Sequence, residues 1–213
     1  MTEAIRIKNE LGHYLIVQEP LKFEDAKVVS KTLGGNLAQF ESQAESDLLW
    51  KTISSDQLNE AFVSTWSSTS SIDGGDIPYL WIGGDDKDTE SSRSSEIWNW
   101  NWSSSGQEIS RDRNEWGNGF LESEPDNYLG DQNRLALGLR DWPLSNPGAR
   151  GYAGQWNDLN ANIEYIKLED IIQDSSLLFP ILGENTTKSF PFKNKNKGKN
   201  NKPKTPTLEM FTK

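Results

Sequence analysis

Helical periodicity is confined to the first quarter of this chain, and the remainder is written in period two and in loops. Phe23, Ala26, Val29 and Leu33 fall three or four residues apart, the spacing of one helix face, and Gly34-Gly35 supplies the usual C-terminal stop. Ser42-Gln43-Ala44-Glu45 has the spacing of a capping box, hydroxyl to the third amide and carboxylate back to the first, and Leu48, Leu49, Thr52 and Ile53 carry a second helix onward. A short strand at residues 14–17 precedes these helices, and residues 36–40 form a brief extended piece between them. Residues 64–78 are loop by their Ser, Thr and Gly content. Strands are then expected at the apolar run 79–82, closed by Gly83-Gly84, and at the alternating stretches 97–102 and 134–139, with two more at 155–159 and 164–168. Loops rich in Gly, Asn, Asp and Pro separate them, and no internal repeat is visible. Two helices and then a strand-and-loop half specify an α+β domain.

The side-chain inventory narrows the chemistry. Hydrophobic residues are only 34% of the chain, so nine Trp, eight Phe and five Tyr must supply much of the core. Zero Cys excludes a disulfide scaffold, a thiolate metal site and a cysteine nucleophile. The one histidine, His13, excludes a multi-histidine metal centre and is expected in a loop or at a strand edge. No transmembrane segment is expected, since the apolar run at 175–183 is half a span. No signal peptide is seen in the opening residues.

The net charge of -10 conceals a division. Residues 187–213 carry eight Lys and one Glu, leaving the rest strongly acidic. That acidic body repels phosphate backbones and favours cations, so nucleic acid is not an expected partner. The lysine tail is low-complexity and reads as disordered, a solubilising or linker end, with contact to an anionic surface as the sharper alternative. The expected organisation is a lead at 1–11, a domain at 12–170, a connecting segment at 171–186 and the tail at 187–213.

Oxygen donors cluster in the loop-rich half. Glu124-Pro125-Asp126-Asn127 is succeeded by Gly130-Asp131-Gln132-Asn133 and then by Trp156-Asn157-Asp158. Oxygens arriving from separate loops, with no His or Cys, suit a hard cation. Calcium takes about 6–8 oxygens at roughly 2.3–2.6 Å, whereas magnesium demands a tighter octahedron and commonly a phosphate. Asp85, Asp86, Asp88 and Glu90 form a further acidic stretch, read as a solvated loop in preference to a second, structural calcium site.

In these stretches the chain resembles a C-type lectin domain. Leu33-Gly34-Gly35-Asn36-Leu37-Ala38 is similar to that family's turn after its first helix, and Trp81-Ile82-Gly83-Gly84 to its Trp-Ile-Gly strand. Glu124-Pro125-Asp126 is similar to its long-loop sugar motif and Trp156-Asn157-Asp158 to its calcium-binding strand. Four motifs in order across residues 12–169 are far more specific than any one tripeptide. The resemblance, to a cysteine-free variant of bacterial or phage-like kind, implies the C-type lectin-like fold: two helices flanking small antiparallel sheets with a long loop region. It implies a calcium ion held by Glu124, Asp126, Asn157 and Asp158, with two sugar hydroxyls completing the shell, and hence a carbohydrate or glycoconjugate as partner. It also favours display outside the cell or on a surface, for adhesion.

This sequence departs from the family pattern at several positions. The family's cysteines are absent, one falling on Arg134 and another near Ala161. Mannose-type members carry Glu-Pro-Asn and galactose-type members Gln-Pro-Asp, so Glu124-Pro125-Asp126 is a hybrid that names no sugar. Either the hydroxyls bind differently, or the loop shifts and Asn127 takes the place of Asp126. Gln132 stands where a Glu is usual, which implies a weaker calcium site. Tyr128 stands where galactose binders often stack an aromatic ring. A protein-recognition or adhesin module that needs no calcium is the competing function. An enzyme is not expected: Glu122 and Glu124 sit two apart in one loop with no apolar pocket in the sequence to raise one pKa.

Overall fold

A computed structural model describes residues 4–8, 12–17, 21–55, 70–71, 74–87, 91–161, 179–184 and 209–210. In chain order its elements are β1 (Ala4–Lys8), β2 (His13–Val17), α1 (Phe23–Thr32), β3 (Asn36–Leu37), α2 (Gln43–Ile53), β4 (Ser70–Ser71), β5 (Ile77–Asp86), β6 (Trp100–Trp102), β7 (Gln132–Gly138), β8 (Trp156–Asn160), β9 (Phe179–Glu184) and β10 (Glu209–Met210). The strand expected at 164–168, residues 88–90 of the acidic stretch, most of the loop at 64–78 and the lysine tail outside Glu209–Met210 lie outside the described residues.

Both helices form where the periodicity places them, and their ends obey local chemistry. Gly34 takes φ +88°, a left-handed conformation glycine adopts at little steric cost. The amides of Leu33, Gly34 and Gly35 then close onto the carbonyls of Val29, Lys31 and Ser30. Ser42 caps α2, its hydroxyl accepting the Glu45 amide at 3.3 Å. The returning Glu45 carboxylate accepts the Glu41 amide at 2.9 Å, one residue before the cap itself. Ser42→Ala should therefore cost about 1 kcal/mol, read as a lower denaturant midpoint with an unchanged slope.

All ten residues of β5 are buried, which explains why it reads as an apolar run without clean alternation. Leu80 and Ile82 pack in one core with Leu135, Leu137, Leu139, Trp100, Trp102, Trp116 and Trp156. Tyr79 and Trp81 face the other way, into a second core with Phe23, Ala26, Ala136, Trp142 and Leu159. The sheet order is β10-β1-β2-β9-β5-β7-β8, with β3 on β9 and β4 and β6 on β5. The β5–β9 pair is parallel and the others are antiparallel. The 97–102 alternation yields a strand only at β6, where half-buried Asn101 lies between buried Trp100 and Trp102 and half-buried Trp98 and Asn99 precede it. His13 opens β2, opposite Lys8 and Glu184.

With no cysteine available, indoles knit the loop-rich half together. Trp98, Trp100 and Trp156 each meet Trp116 edge-on with ring centroids 5.2–5.9 Å apart. Trp102 meets Trp156 at 5.6 Å in the same manner. Such edge-to-face pairs add to the stabilisation from burial alone. No described helix is long and apolar enough to cross a membrane.

Candidate functional site

Two strands and one long loop converge on the acidic residues. β7 and β8 pair antiparallel with Ala136 opposite Asn157 and Leu135 opposite Asp158, which fixes both site residues on β8. A parallel bridge between Trp116 and Trp156 then brings in the loop. The Gly117 amide donates to the Trp156 carbonyl at 2.8 Å, and the Glu124 amide donates to the Gly117 carbonyl at 2.7 Å. The Glu124–Pro125 and Trp142–Pro143 peptide bonds are cis.

Glu124, Asp126 and Asp158 each offer a carboxylate oxygen, all within 4.8 Å of one another. Glu124 is 2% exposed and Asp158 0%. Backbone amides partly offset the charge. Asp158 accepts the amides of Asp126 at 3.2 Å and Asn127 at 2.8 Å, and Glu124 accepts the Asp126 amide at 3.1 Å. The Trp142 indole donates to Glu124 Oε1 at 3.1 Å, so the Pro-flanked loop at 142–147 does border the site, as its position before β8 suggests. Arg150 reaches Asp126 at 3.3 Å and Glu122 at 2.8 Å.

These partners leave the cluster under electrostatic stress. Burial, then the neighbouring Asp126, pushes the Asp158 carboxyl up to about 8, even though backbone amides favour its ionised form. Burial, then Asp158 and Asp126, raises Glu124 well above the carboxylate range against the opposing effects of Trp142 and Arg150. Buried like charges that share a space resist joint ionisation unless a cation joins them.

Asn157 supplies an independent sign. Its Nδ2 donates to the Tyr79 hydroxyl at 2.8 Å, and that hydroxyl donates to the Gly74 carbonyl at 2.7 Å. The amide is thereby oriented, yet its Oδ1 is buried with no hydrogen-bond partner among the described residues. Bare buried acceptors are uncommon, and an ion or an ordered water is what completes them. The donor set fits calcium in kind, because it is all oxygen. It also fits in span: two ligands each about 2.4 Å from one ion lie no more than about 4.8 Å apart.

The remaining expected residues take other places. Asp126, not Asn127, lends its carboxylate to the cluster; Asn127 Oδ1 accepts the Gln132 amide at 3.2 Å. Gln132 is buried, and its Oε1 accepts the Tyr128 amide at 2.6 Å, which ties the loop to the start of β7. Tyr128 is 47% exposed, with Arg150 5.7 Å from its ring centroid. Asp85 pairs with Arg134 at 2.9 Å, and Asp86 accepts the Ser91 amide at 2.9 Å. Tyr79 and Arg150 have nothing in their local sequence that marks them as partners of Asn157 and Asp126.

No protein-family profile and no curated protein matches the sequence. Solved structures do match. The mouse scavenger receptor C-type lectin carbohydrate-recognition domain is similar at 21% identity and TM-score 0.51, covering 87% of this chain and 97% of that one. The corresponding human domain matches at 20% identity and TM-score 0.46, covering 84% and 95%. The cow CD23 C-type carbohydrate-recognition domain, solved in the presence of a GlcNAc2Man3 oligosaccharide, matches at 19% and 0.46, covering 83% and 89%. At such identities the likeness speaks to architecture, and with the two helices and largely antiparallel strands described above it establishes that this chain has the C-type lectin-like fold.

Proposed function

We propose that this chain is a calcium-dependent carbohydrate-binding module. The observation that carries the reading is the triad of carboxylates within 4.8 Å, two of them buried and held from ionising together, beside the unpartnered Asn157 oxygen. Glu124, Asp126, Asn157 and Asp158 would hold the ion. A bound calcium ion supplies open coordination positions that two neighbouring hydroxyls of a sugar can fill. The carboxylates then accept the hydroxyl protons, and exposed Tyr128 offers a ring face beside them. The mouse neighbour is by its name a carbohydrate-recognition domain, which supports a saccharide as ligand class. Asn127 borders the same sugar position. Gln132 offers a neutral oxygen that is already turned to Tyr128, so affinity for calcium belongs at the weak end of the range. A ligand held through few contacts binds weakly at one site, and multivalent display compensates.

A binding role without calcium is the second reading, and one observation favours it: the Arg150 guanidinium already brings a positive charge to Asp126. Exposed Phe120 and Leu121 on the same loop would then serve a protein partner. Binding to immobilised glycans, measured in millimolar calcium and again in chelator, separates the two. The proposal expects saturable glycan binding that chelator abolishes. Glycan binding that survives chelator, or none in calcium, sinks it.

The tyrosine behind Asn157 gives a finer test. Tyr79→Phe deletes the hydroxyl that both orients Asn157 and satisfies the Gly74 carbonyl. Unfolding should become easier by about 1–3 kcal/mol, the cost of stranding buried polar groups. Calcium titration should show affinity down roughly tenfold, the scale of an outer partner's loss. Unchanged affinity would mean that Asn157 takes no part in holding the ion.

A further inference from the structure

Beyond the acidic cluster, a cavity of about 390 Å³ opens in the same half of the molecule, lined by Arg93, Arg111, Arg113, Trp116, Asn118 and Gln155 among others. Three guanidinium groups in one cavity are unexpected in a chain whose net charge is -10. Their individual circumstances differ. Arg113 is ion-paired to buried Glu115, and its charge is spent there. Arg111 has no carboxylate partner among the described residues; it lies 4.8 Å from the Trp98 ring centroid and donates to the Ser95 carbonyl at 2.8 Å. Arg93 makes no side-chain hydrogen bond or ion pair among the described residues, and its Nε is buried with no acceptor. Asp112, also on the lining, is exposed to solvent. The cavity thus holds an excess of positive charge, with one guanidinium fixed by stacking and the other lacking an acceptor.

We infer that this cavity is an anion subsite that takes the carboxylate or sulfate group of an acidic saccharide. Guanidinium groups suit such oxyanions because their planar N–H donors match two oxygens at once. Asn118 and Gln155 add polar side chains to the wall, and Trp116 an aromatic one. The wall is also continuous with the acidic site. The Arg93 amide donates to the Pro125 carbonyl at 2.7 Å, next to Glu124, and Gln155 lies two residues before Asn157 on the chain. Asn118 bridges to Ser123, which precedes Glu124. This continuity with the proposed hydroxyl-binding site is the argument for a saccharide over an acidic peptide. The ligand class therefore rests on the carbohydrate reading; the anion subsite rests on the arginines.

The test is a chemical-shift titration of the full chain with sodium glucuronate, glucose and a tetraglutamate peptide, each in calcium and in chelator. Saturable shifts at the Arg93 and Arg111 side chains and the Trp116 indole are expected with glucuronate and not with glucose. Because the subsite needs no calcium, those shifts should persist in chelator, so failure of the calcium reading leaves this result standing. Arg93→Gln disturbs no hydrogen bond of its own side chain and should fold normally while weakening glucuronate about tenfold. Absence of saturable arginine shifts, or full affinity in Arg93→Gln, overturns the subsite. Tighter binding of tetraglutamate than of glucuronate overturns the saccharide assignment.

Discussion

Calcium at about 10 mM, roughly 100 times the ~0.1 mM dissociation constant of a weak site, should raise the melting temperature of chelator-treated protein by roughly 5–10 °C near neutral pH. The size comes from mass action: a ligand at about 100 times its dissociation constant adds about 2.7 kcal/mol, and a domain of this length gains roughly 2–4 °C per kcal/mol. The pH dependence sharpens the test. In the ion-free fold Asp158 holds its proton up to about pH 8, whereas the unfolded chain releases it near 3.8. Between those values the folded state binds more protons, so unfolding becomes easier as pH rises. Glu124 shifts in the same direction and adds to the slope. The ion-free protein should therefore lose stability from about pH 4 towards pH 8, and saturating calcium should flatten that decline because the metal favours the ionised carboxylates. The calcium shift should accordingly be small in acid and largest near pH 8. Melting curves that coincide with and without calcium at every pH would refute the ion site.

Asp158→Asn should abolish that calcium response while stabilising the ion-free protein at neutral pH. In the ion-free fold at neutral pH the Asp158 carboxyl must take up a proton that the unfolded chain has released, because burial and its acidic neighbours disfavour the charge, and the always-neutral amide removes that cost. A gain on the order of 1–3 kcal/mol is expected from that relief. One carbonyl oxygen remains to accept an amide from Asp126 or Asn127, so the loop keeps part of its anchor. Calcium affinity should fall by at least about 100-fold, since ligand charge sets it. Asp158→Ala separates the two roles: it loses the carboxyl, deletes the acceptor of the Asn127 amide and leaves the Asp126 amide to Glu124 alone, so it should bind no calcium and melt lower than Asp158→Asn. Denaturant unfolding beside a calcium titration reads both quantities. An Asp158→Asn protein that keeps the calcium response would remove Asp158 from the site.

Local signals carried a large share of this architecture. The two helices, the cap at Ser42 and the buried strand through Trp81 are short-range consequences of spacing and turn residues, and each is legible without knowing what it packs against. Carboxylate convergence was legible for a different reason, because the order of Glu124-Pro125-Asp126 and Trp156-Asn157-Asp158 resembles a known arrangement. Strand β9 was not, since a parallel partner for β5 drawn from a segment read as connection is fixed only by long-range pairing. The same limit hid the environment of the site. Tyr79 reads as core and Arg150 as loop, and only the fold shows one fixing Asn157 and the other pairing with Asp126. At Gln132 residue type suggested a weaker ligand, while the structure shows its oxygen bracing the Tyr128 amide.

The indole chain that runs from Trp98 through Trp116 to Trp156 and Trp102 has an optical consequence. Four indoles locked edge-on at centroid distances of 5.6–5.9 Å should couple their strong far-ultraviolet transitions and give an exciton couplet in circular dichroism. Trp156 immediately precedes Asn157, so one member of this coupled array adjoins the acidic cluster. The protein therefore contains its own spectroscopic reporter, in which loss of the exciton signal marks loosening of the loop-rich half without any attached label.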